Sequence, residues 1–200
     1  RFGVENIDVL LLHRPDPLME PEEVARAFDD LQQSGKVAHF GFSNHSAAQI
    51  QLLKKCVRQP IVANQLEVSL LHTGMIDAGT AANQTQPTLH EPGEGTLEYC
   101  QEHDISIQPW SPLARGQLAD EANAPVKELH PMLEKFAADK GVSIEAILLA
   151  WLLRHPAKMQ PILGSCNPER IAAACRATEV KLTREEWYQL YVTARGQRMA

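Results

Sequence analysis

Five apolar stretches of this sequence end in residues that could do chemistry. The clearest is the run of residues 7–12, which leads directly into His13 and Arg14. The other four end in Ser43-Asn44-His45, in Asn64-Gln65, in the loop 111–116 and in Gly164-Ser165. Asn and Gln side chains carry a donor and an acceptor in fixed geometry, which suits them to bind another amide. A histidine such as His13 could be catalytic, or structural and bonded to a backbone carbonyl.

The apolar stretches themselves are typical of strands in a parallel sheet. Short continuous apolar runs favour strands that are buried on both faces, although a buried core helix is an alternative for residues 7–12. We predict strands over residues 7–12, 37–42, 60–63, 105–110 and 160–163. Because parallel α/β folds place their chemistry at the carboxyl ends of the strands, the polar residues are expected to converge at one edge.

Helical patterns alternate with these strands and favour βα units. Pro21 suits the first position of a helix that Gly35 ends, and Ser46 is placed to cap the next helix. Further helices are predicted over residues 73–82, 96–102 and 131–140. Three more are expected to begin after Ser143, after Asn167 and after Thr183. Pro168 suits the first position of the second of these, and Thr183 forms a capping box with Glu186 on the third. Residues 85–95 are predicted to form a loop.

Composition limits the function classes. The net charge of −6 provides no field that would attract nucleic acid or an anionic membrane. The four cysteines are scattered without CxxC pairing, and no apolar segment reaches membrane-spanning length, so a reduced, cytoplasmic protein is expected. Eight histidines raise the idea of a metal site, such as that of a zinc hydrolase, but no HxH or HExxH spacing occurs and no metal is expected.

An ordered set of motifs gives the sequence a resemblance to a known family. The motifs are residues 7–16, Ser34-Gly35-Lys36-Val37 leading to Gly41-Phe42-Ser43-Asn44, Asn64-Gln65-Leu66-Glu67, Pro109-Trp110-Ser111-Pro112-Leu113, and Gly164-Ser165 with Pro168-Glu169-Arg170. In this order and spacing they resemble the aldo-keto reductases, and within them the bacterial YdhF-like oxidoreductases. The resemblance implies an α/β fold, the (β/α)8 TIM barrel. The chain would form one domain over residues 1–200, with the fourth to eighth strands, a C-terminal helix, and no first three strands.

The resemblance also implies an activity. The family reduces aldehyde and ketone carbonyls with NADPH, without metal, using an Asp, a Tyr, a Lys and a His. Its histidine matches His13, which would hydrogen-bond the carbonyl oxygen of a small substrate as negative charge develops there. The other three members would come from strands that precede this sequence. We therefore expect the parent protein to be a reductase and the 200 residues alone to be inactive.

Cofactor residues are implied at both ends of the dinucleotide. Ser43, Asn44 and Gln65 match the residues that hold the nicotinamide carboxamide, and Trp110 matches an aromatic residue that stacks on the nicotinamide. The pyrophosphate is expected along the loop with Ser111, Leu113 and Gly116, and the 2′-phosphate and adenine end at Gly164, Ser165 and Arg170, with donors from the helix that follows Asn167.

Two departures and one alternative accompany this interpretation. Gly164 stands where many family members have a lysine, and Ala173 and Ala174 replace residues that often hold adenine. NADPH is therefore the expected cofactor, with NADH possible. The matched residues could also have purely structural roles. Ser43-Asn44 could cap a helix, Trp110 could be a core residue, and Arg170 could be a solvated helix residue. A non-catalytic protein that binds cofactor or a partner is the alternative function; oligomeric state is left open.

Overall fold

The computed structural model describes residues 3–80, 93, 95–119 and 124–196. These residues contain four strands and eight α-helices. The strands are β1 Ile7–Leu12, β2 Val37–Ser43, β3 Ile61–Glu67 and β4 Ser106–Trp110. The helices are α1 Pro21–Gln33, α2 Ala47–Leu53, α3 Gly74–Thr80, α4 Thr96–Glu102, α5 Ala124–Lys140, α6 Ile144–Leu153, α7 Pro168–Cys175 and α8 Arg184–Arg195.

The strands form one parallel sheet in the order β1-β2-β3-β4. Gly41, in the middle of β2, shows why a side chain is excluded there. An added Cβ would lie 2.5 Å from Leu11 Cδ2 and 2.6 Å from the carbonyl oxygen of Ala63. Since β2 is flanked by β1 and β3, any larger residue would push both neighbours away. The predicted alternation of strand and helix, with all carboxyl strand ends at one edge, is confirmed.

Aromatic residues fix the helices against the sheet and against each other. Phe28 of α1 stacks on Phe40 of β2 with ring centroids 4.0 Å apart. On the far side of the core, Trp151 of α6 and Trp187 of α8 stack at 4.9 Å, and each indole N–H donates to the other residue's carbonyl oxygen at 3.2 and 2.9 Å. These contacts satisfy the buried indole donors, as burial of a tryptophan requires.

The predicted helix caps are observed. Ser46 and Gln49 form a capping box on α2, and Thr183 and Glu186 form another on α8. The side chain of Asn167 accepts from two backbone amides at the start of α7, where Pro168 holds the first position. The prediction around Pro131 was wrong, because α5 begins at Ala124 and runs through the proline. A single missing N–H evidently does not end a helix of 17 residues whose apolar face is buried.

β1 was predicted to be buried on both faces, and this is wrong. None of its six residues is buried, and Ile7 and Val9 are 36% and 41% exposed. β1 is an edge strand of the described sheet, so one of its sides has no neighbour there. β3 extends beyond the predicted residues 60–63 and includes Asn64 and Gln65 as strand residues.

The fifth predicted strand, residues 160–163, lies alongside β4 without a regular ladder. The amides of Gln160 and Ile162 donate to the carbonyls of Ile107 and Pro109, each at 2.8 Å. A parallel ladder would return a bond from the amide of residue 109 to the carbonyl of Gln160. Because residue 109 is a proline, it has no N–H to give, and the pairing remains one-sided. The prediction of a fifth strand over residues 160–163 was therefore wrong, although the segment does pair with β4 through these two bonds.

Three further observations bear on the predictions from composition. All four cysteines are unpaired. No helix among the described residues is both long and apolar enough to cross a membrane. No three His, Cys, Asp or Glu side chains within the described ranges are grouped in a way that would hold a metal ion. Most of the predicted loop over residues 85–95 falls outside the described residues.

Candidate active site

Five of the residues that the sequence singled out meet at the carboxyl ends of the four strands. We call His13, Ser43, Asn44, Gln65 and Trp110 the strand-end cluster. His13 follows β1, Ser43 ends β2 and Asn44 follows it. Gln65 lies near the end of β3, and Trp110 ends β4. Parallel pairing of adjacent strands brings these ends together, with Ser43 opposite Gln65 in the register of β2 and β3.

Asn44 lies at the centre of the strand-end cluster. Its backbone adopts a left-handed conformation with φ of 61°, which asparagine tolerates better than most residues. Its side-chain amide nitrogen donates to the carbonyl oxygen of His13 at 3.1 Å and to Ser43 Oγ at 3.0 Å. Its side-chain oxygen accepts from Trp110 Nε1 at 3.0 Å. One side chain thus connects the ends of β1 and β4.

Gln65 lies under the same edge and begins a row of amides. Its carbonyl oxygen accepts from the amide of Asn44 and from Ser43 Oγ, both at 2.9 Å. Its side-chain Nε2 donates to Gln108 Oε1 at 3.3 Å, and Gln108 Nε2 donates to Gln160 Oε1 at 3.1 Å. Gln108 and Gln160 were not predicted as site residues. The available signal was the polar Gln108 between the apolar residues Ile107 and Pro109 of β4.

Trp110 is half-buried and contacts the loop that follows it. The guanidinium of Arg115 lies over the indole, 5.3 Å from the ring centroid. The same guanidinium pairs with the carboxylate of Glu67 at 3.0 Å. One face of Trp110 is therefore covered by Arg115.

The loop after β4 has an unusual backbone. Ser111, Ala114, Arg115 and Gly116 all have positive φ, between 49° and 82°. A Cβ at Gly116 would meet nothing within 4 Å, so this glycine borders open space. Left-handed residues in a tight loop turn successive amides inward and form concave surfaces that suit anions. Leu113 lies within this loop and is half-buried.

A cleft of about 410 Å³ opens beside the strand-end cluster. It is lined by Asn44, Trp110 and Arg115, and by His72 and Met75 from just before and within α3. The remaining lining residues are Arg14, Leu66 and Glu67. His13 itself is exposed, and its imidazole makes no hydrogen bond to the described residues. The ring is therefore available to a ligand, as a substrate-binding histidine must be.

Gly164, Ser165 and Arg170 lie apart from this hydrogen-bonded network, at the amino end of α7. Ser165 Oγ accepts from the amide of Asn167 at 3.2 Å, and Asn167 Oδ1 accepts from the amide of Arg170 at 3.1 Å. Arg170 is exposed, and its guanidinium forms no ion pair with the described residues. Gly164 borders open space. A free cation and a helix amino end face solvent here, as an anion site requires.

Directly behind the strand-end cluster lies a buried polar layer that sequence reasoning missed. His45 is 1% exposed, its Nδ1 lies 2.8 Å from the carbonyl oxygen of Ser43, and its Nε2 has no partner among the described residues. Burial lowers the pKa of His45, although the Ser43 carbonyl opposes this. Asn64, fully buried, donates to the carbonyl oxygen of His45 at 2.8 Å. Burial also raises the pKa of the nearby Cys100 thiol to about 11, so this cysteine is not a nucleophile at neutral pH.

Comparisons with known proteins agree with the architecture. The sequence profile of the Aldo/keto reductase family matches residues 1–191. The chain is 39% identical over 199 residues to a 6-dehydroglucose reductase of Agrobacterium fabrum, and 39% identical over 197 residues to oxidoreductase YdhF of Escherichia coli. These alignments cover 100% and 98% of the chain but 61% and 60% of the relatives, so the chain spans about three fifths of their length.

A solved structure of the same family has the same fold. A thermostable aldo-keto reductase, crystallised with the inhibitor epalrestat, superposes with a TM-score of 0.74 at 26% identity. The match covers 94% of this chain and 60% of that one. The parallel sheet with its helices is therefore part of an α/β barrel of the reductase type, as the motifs predicted. The chain belongs to the aldo/keto reductase family and is close to its YdhF-like members.

Proposed function

We propose that this chain is part of an oxidoreductase that reduces aldehyde or ketone carbonyls by hydride transfer from NADPH or NADH. The observation that carries the proposal is the meeting of His13, Ser43, Asn44, Gln65 and Trp110 at four adjacent strand ends beside an open cleft. Relatives with the printed names 6-dehydroglucose reductase and oxidoreductase support the reaction class. A small carbonyl compound is the substrate class that this chemistry implies.

His13 is proposed to act on the substrate oxygen. When hydride reaches a carbonyl carbon, negative charge develops on the oxygen, and a donor already aimed at that position lowers the barrier. The imidazole of His13 is exposed and makes no hydrogen bond within the described part of the chain, so it can donate to a substrate oxygen without losing such a bond. The Asp, Tyr and Lys of the family's catalytic set have no match in these 200 residues, so the proton for the oxygen must come from elsewhere.

The residues present suit a dinucleotide. Gln65 and Asn44 place side-chain amides at the strand ends, where a nicotinamide carboxamide would find a donor and acceptors. Trp110 provides an indole face for the nicotinamide ring, which would supply the hydride. The left-handed loop with Ser111, Leu113 and Gly116 is proposed to hold the pyrophosphate. Gly164, Ser165 and Arg170 are proposed to hold the 2′-phosphate and adenine end, with Arg170 providing the charge.

A second candidate is a protein that binds the cofactor without turning it over. The exposed side of β1 and the unmatched Asp, Tyr and Lys favour it for the 200-residue chain on its own. The two candidates differ in a simple assay, because both predict cofactor binding but only the first predicts oxidation of NADPH by the whole reductase domain.

The test uses the 200-residue chain and a longer chain that contains matches to the missing catalytic residues. NADPH should quench the tryptophan fluorescence of both, and Trp110→Phe should remove most of that quenching. Only the longer chain should oxidise NADPH in the presence of a reactive aldehyde. Turnover by the 200 residues alone would show that the missing acid is not required, and a longer chain without turnover would favour the binding protein.

A further inference from the structure

Helix α3 is too short to be stable through its own backbone bonds. It spans seven residues, Gly74–Thr80, of which Ile76 and Ala78 are buried. Isolated helices shorter than about 12–15 residues are marginal in water, so α3 must be held by contacts with the rest of the fold. Its position matters because His72, just before it, and Met75, within it, line the cleft beside the strand-end cluster.

A largely buried cluster around Asp77 holds α3 against α8. Asp77 Oδ1 accepts a hydrogen bond from the Tyr191 hydroxyl and pairs with Arg195 Nε at 3.1 Å. The Arg195 guanidinium also lies over the Tyr191 ring, 5.1 Å from its centroid. Tyr191 is fully buried, and the side chains of Arg195 and Asp77 are 10% and 15% exposed. Because water is largely excluded, these charge-assisted bonds are stronger than those of an exposed ion pair. We call Asp77, Tyr191 and Arg195 the α3–α8 anchor.

Helix α8 is the fixed side of the α3–α8 anchor. It begins with the capping box of Thr183 and Glu186, and it buries Trp187, Leu190 and Tyr191 in the core. Burial raises the pKa of Tyr191, so its hydroxyl keeps its proton at neutral pH and donates it to the carboxylate. The short α3 therefore takes its position from the longer, well-packed α8.

Thr73 connects Asp77 to the residues that line the cleft. Its Oγ1 donates to Asp77 Oδ2 at 2.9 Å, and its carbonyl oxygen accepts from the Asp77 amide at 2.9 Å. On its other side, His72 exchanges two backbone bonds with Ser69, at 3.0 and 3.2 Å. The segment that carries His72 and Met75 is thus held at two points, near the end of β3 and at α8.

We infer that the α3–α8 anchor places His72 and Met75 where they contact the substrate, and that Asp77 is therefore a positioning residue for substrate selection. The inference rests on the proposed function for its substrate, but the anchor is a property of the chain alone. The cleft is lined by Arg14, which follows His13, as well as by Met75. We expect an elongated, apolar aldehyde bound at His13 to reach the flexible thioether of Met75, and a short aldehyde to end before it.

The anchor is tested first without any assay of activity. Backbone hydrogen exchange of residues 73–80 is followed by mass spectrometry in the whole reductase domain, native and with Arg195→Met. We expect exchange roughly tenfold faster or more in the variant, because a charge-assisted bond is lost and the carboxylate is left without its cation. Residues 184–190 of α8 should change little. Unchanged exchange of residues 73–80 would overturn the inference.

Lys140→Met is the matched control. Lys140 pairs with Glu186 at 2.9 Å, so this change also removes an ion pair of α8, but one that joins it to the end of α5. It should leave the exchange of residues 73–80 unchanged. If it accelerates that exchange as much as Arg195→Met does, the effect is a general loss of stability and the inference is wrong. Tyr191→Phe removes only a hydroxyl, and a smaller acceleration is expected there even if Arg195→Met does not fold.

The consequence for the substrate is tested with two aldehydes, propanal and cinnamaldehyde. In Arg195→Met, the KM for cinnamaldehyde should rise roughly fivefold or more while kcat stays within about twofold, because the lost contacts are equal in the ground state and the transition state. The KM for propanal and the Kd for NADPH should not change. Met75→Ala should raise the KM for cinnamaldehyde without accelerating exchange, and the two changes together should cost less than their product.

The outcomes separate this inference from the proposed function. If Arg195→Met raises the Kd for NADPH and leaves both KM values unchanged, α3 serves the cofactor, and the inference is wrong while the function stands. Equal changes in KM for the two aldehydes would also contradict it. If the native domain turns over neither aldehyde, the proposed function fails and the substrate role with it, and the exchange of residues 73–80 still decides whether the anchor holds α3.

Discussion

The strand-end cluster and the amino end of α7 are proposed to bind opposite ends of one dinucleotide, yet they are built differently. In the cluster, Asn44 is already bonded to His13, Ser43 and Trp110. At α7, Arg170 is exposed, and its guanidinium forms no ion pair with the described residues. A preorganised region fixes geometry before the ligand arrives, because the ordering cost has been met during folding. An exposed cation attracts an anionic ligand, and dissolved salt screens this attraction.

This contrast suggests a division of roles between the two regions. The strand-end cluster should control the rate of the chemical step, where small displacements are costly. The α7 region should control affinity and the preference between NADPH and NADH, where a phosphate is either present or absent. Changes at the two regions should therefore affect different kinetic constants.

The largest effect is expected for His13→Ala in the whole reductase domain. Removing one donor to a developing oxyanion typically lowers kcat about 10²–10³-fold, and we expect a loss of this size. Steady-state kinetics with a reactive aldehyde would measure it, with His39→Ala, an exposed histidine of β2, as the control. Equal rates for His13→Ala and the native domain would remove His13 from the catalytic role and weaken the contrast.

A smaller effect is expected at α7. Arg170→Gln should raise the Kd for NADPH roughly fivefold to tenfold, because an exposed charge pair contributes about 1 kcal/mol. The Kd for NADH, which lacks the 2′-phosphate, should stay the same, and so should kcat. Fluorescence titration at low and high salt would measure the Kd for both cofactors, with Arg26→Gln, at an exposed arginine of α1, as the control. A parallel loss of NADH affinity would place Arg170 elsewhere on the cofactor, or in a structural role.

The sequence predicted which residues lie at the strand ends, but it did not predict the hydrogen bonds between them. Residues that follow apolar runs were correctly expected at one edge, because parallel pairing brings strand ends together regardless of the side chains. The bond from Trp110 to Asn44 joins residues 66 positions apart and depends on a left-handed backbone at Asn44. No local pattern encodes such a contact, since it arises only when four strands have paired.

Errors in the fold prediction have equally specific causes. Pro131 suggested a helix start, but α5 continues through it, so burial of the helix outweighed one missing bond. Residues 160–163 had the composition of a strand, but Pro109 on the neighbouring strand cannot complete the ladder. The apolar run of β1 indicated burial, but only the presence of another strand could provide it. In each case packing or pairing with another part of the fold determined the structure of the segment.

The smallest effect concerns stability, and it should also distinguish the two regions. His45, behind the strand-end cluster, is buried, and its folded-state pKa lies below the ordinary value of about 6.5, chiefly because burial disfavours the charged form. The unfolded chain therefore binds a proton more readily as the pH falls below about 6.5. Since the unfolded state then holds more protons, stability is full above this pH and declines as the pH falls further.

Urea unfolding of the 200-residue chain at pH 7.5 and pH 5.5 would measure this decline. We expect the free energy of unfolding to be lower at pH 5.5 than at pH 7.5, and this decline to be smaller in His45→Gln, which cannot titrate. His155 has its pKa lowered in the same direction by burial, so His155→Gln should remove a separate share. His39→Gln, at an exposed histidine of β2, serves as the control. An identical pH dependence in native and His45→Gln chains would mean that burial of His45 does not oppose its protonation.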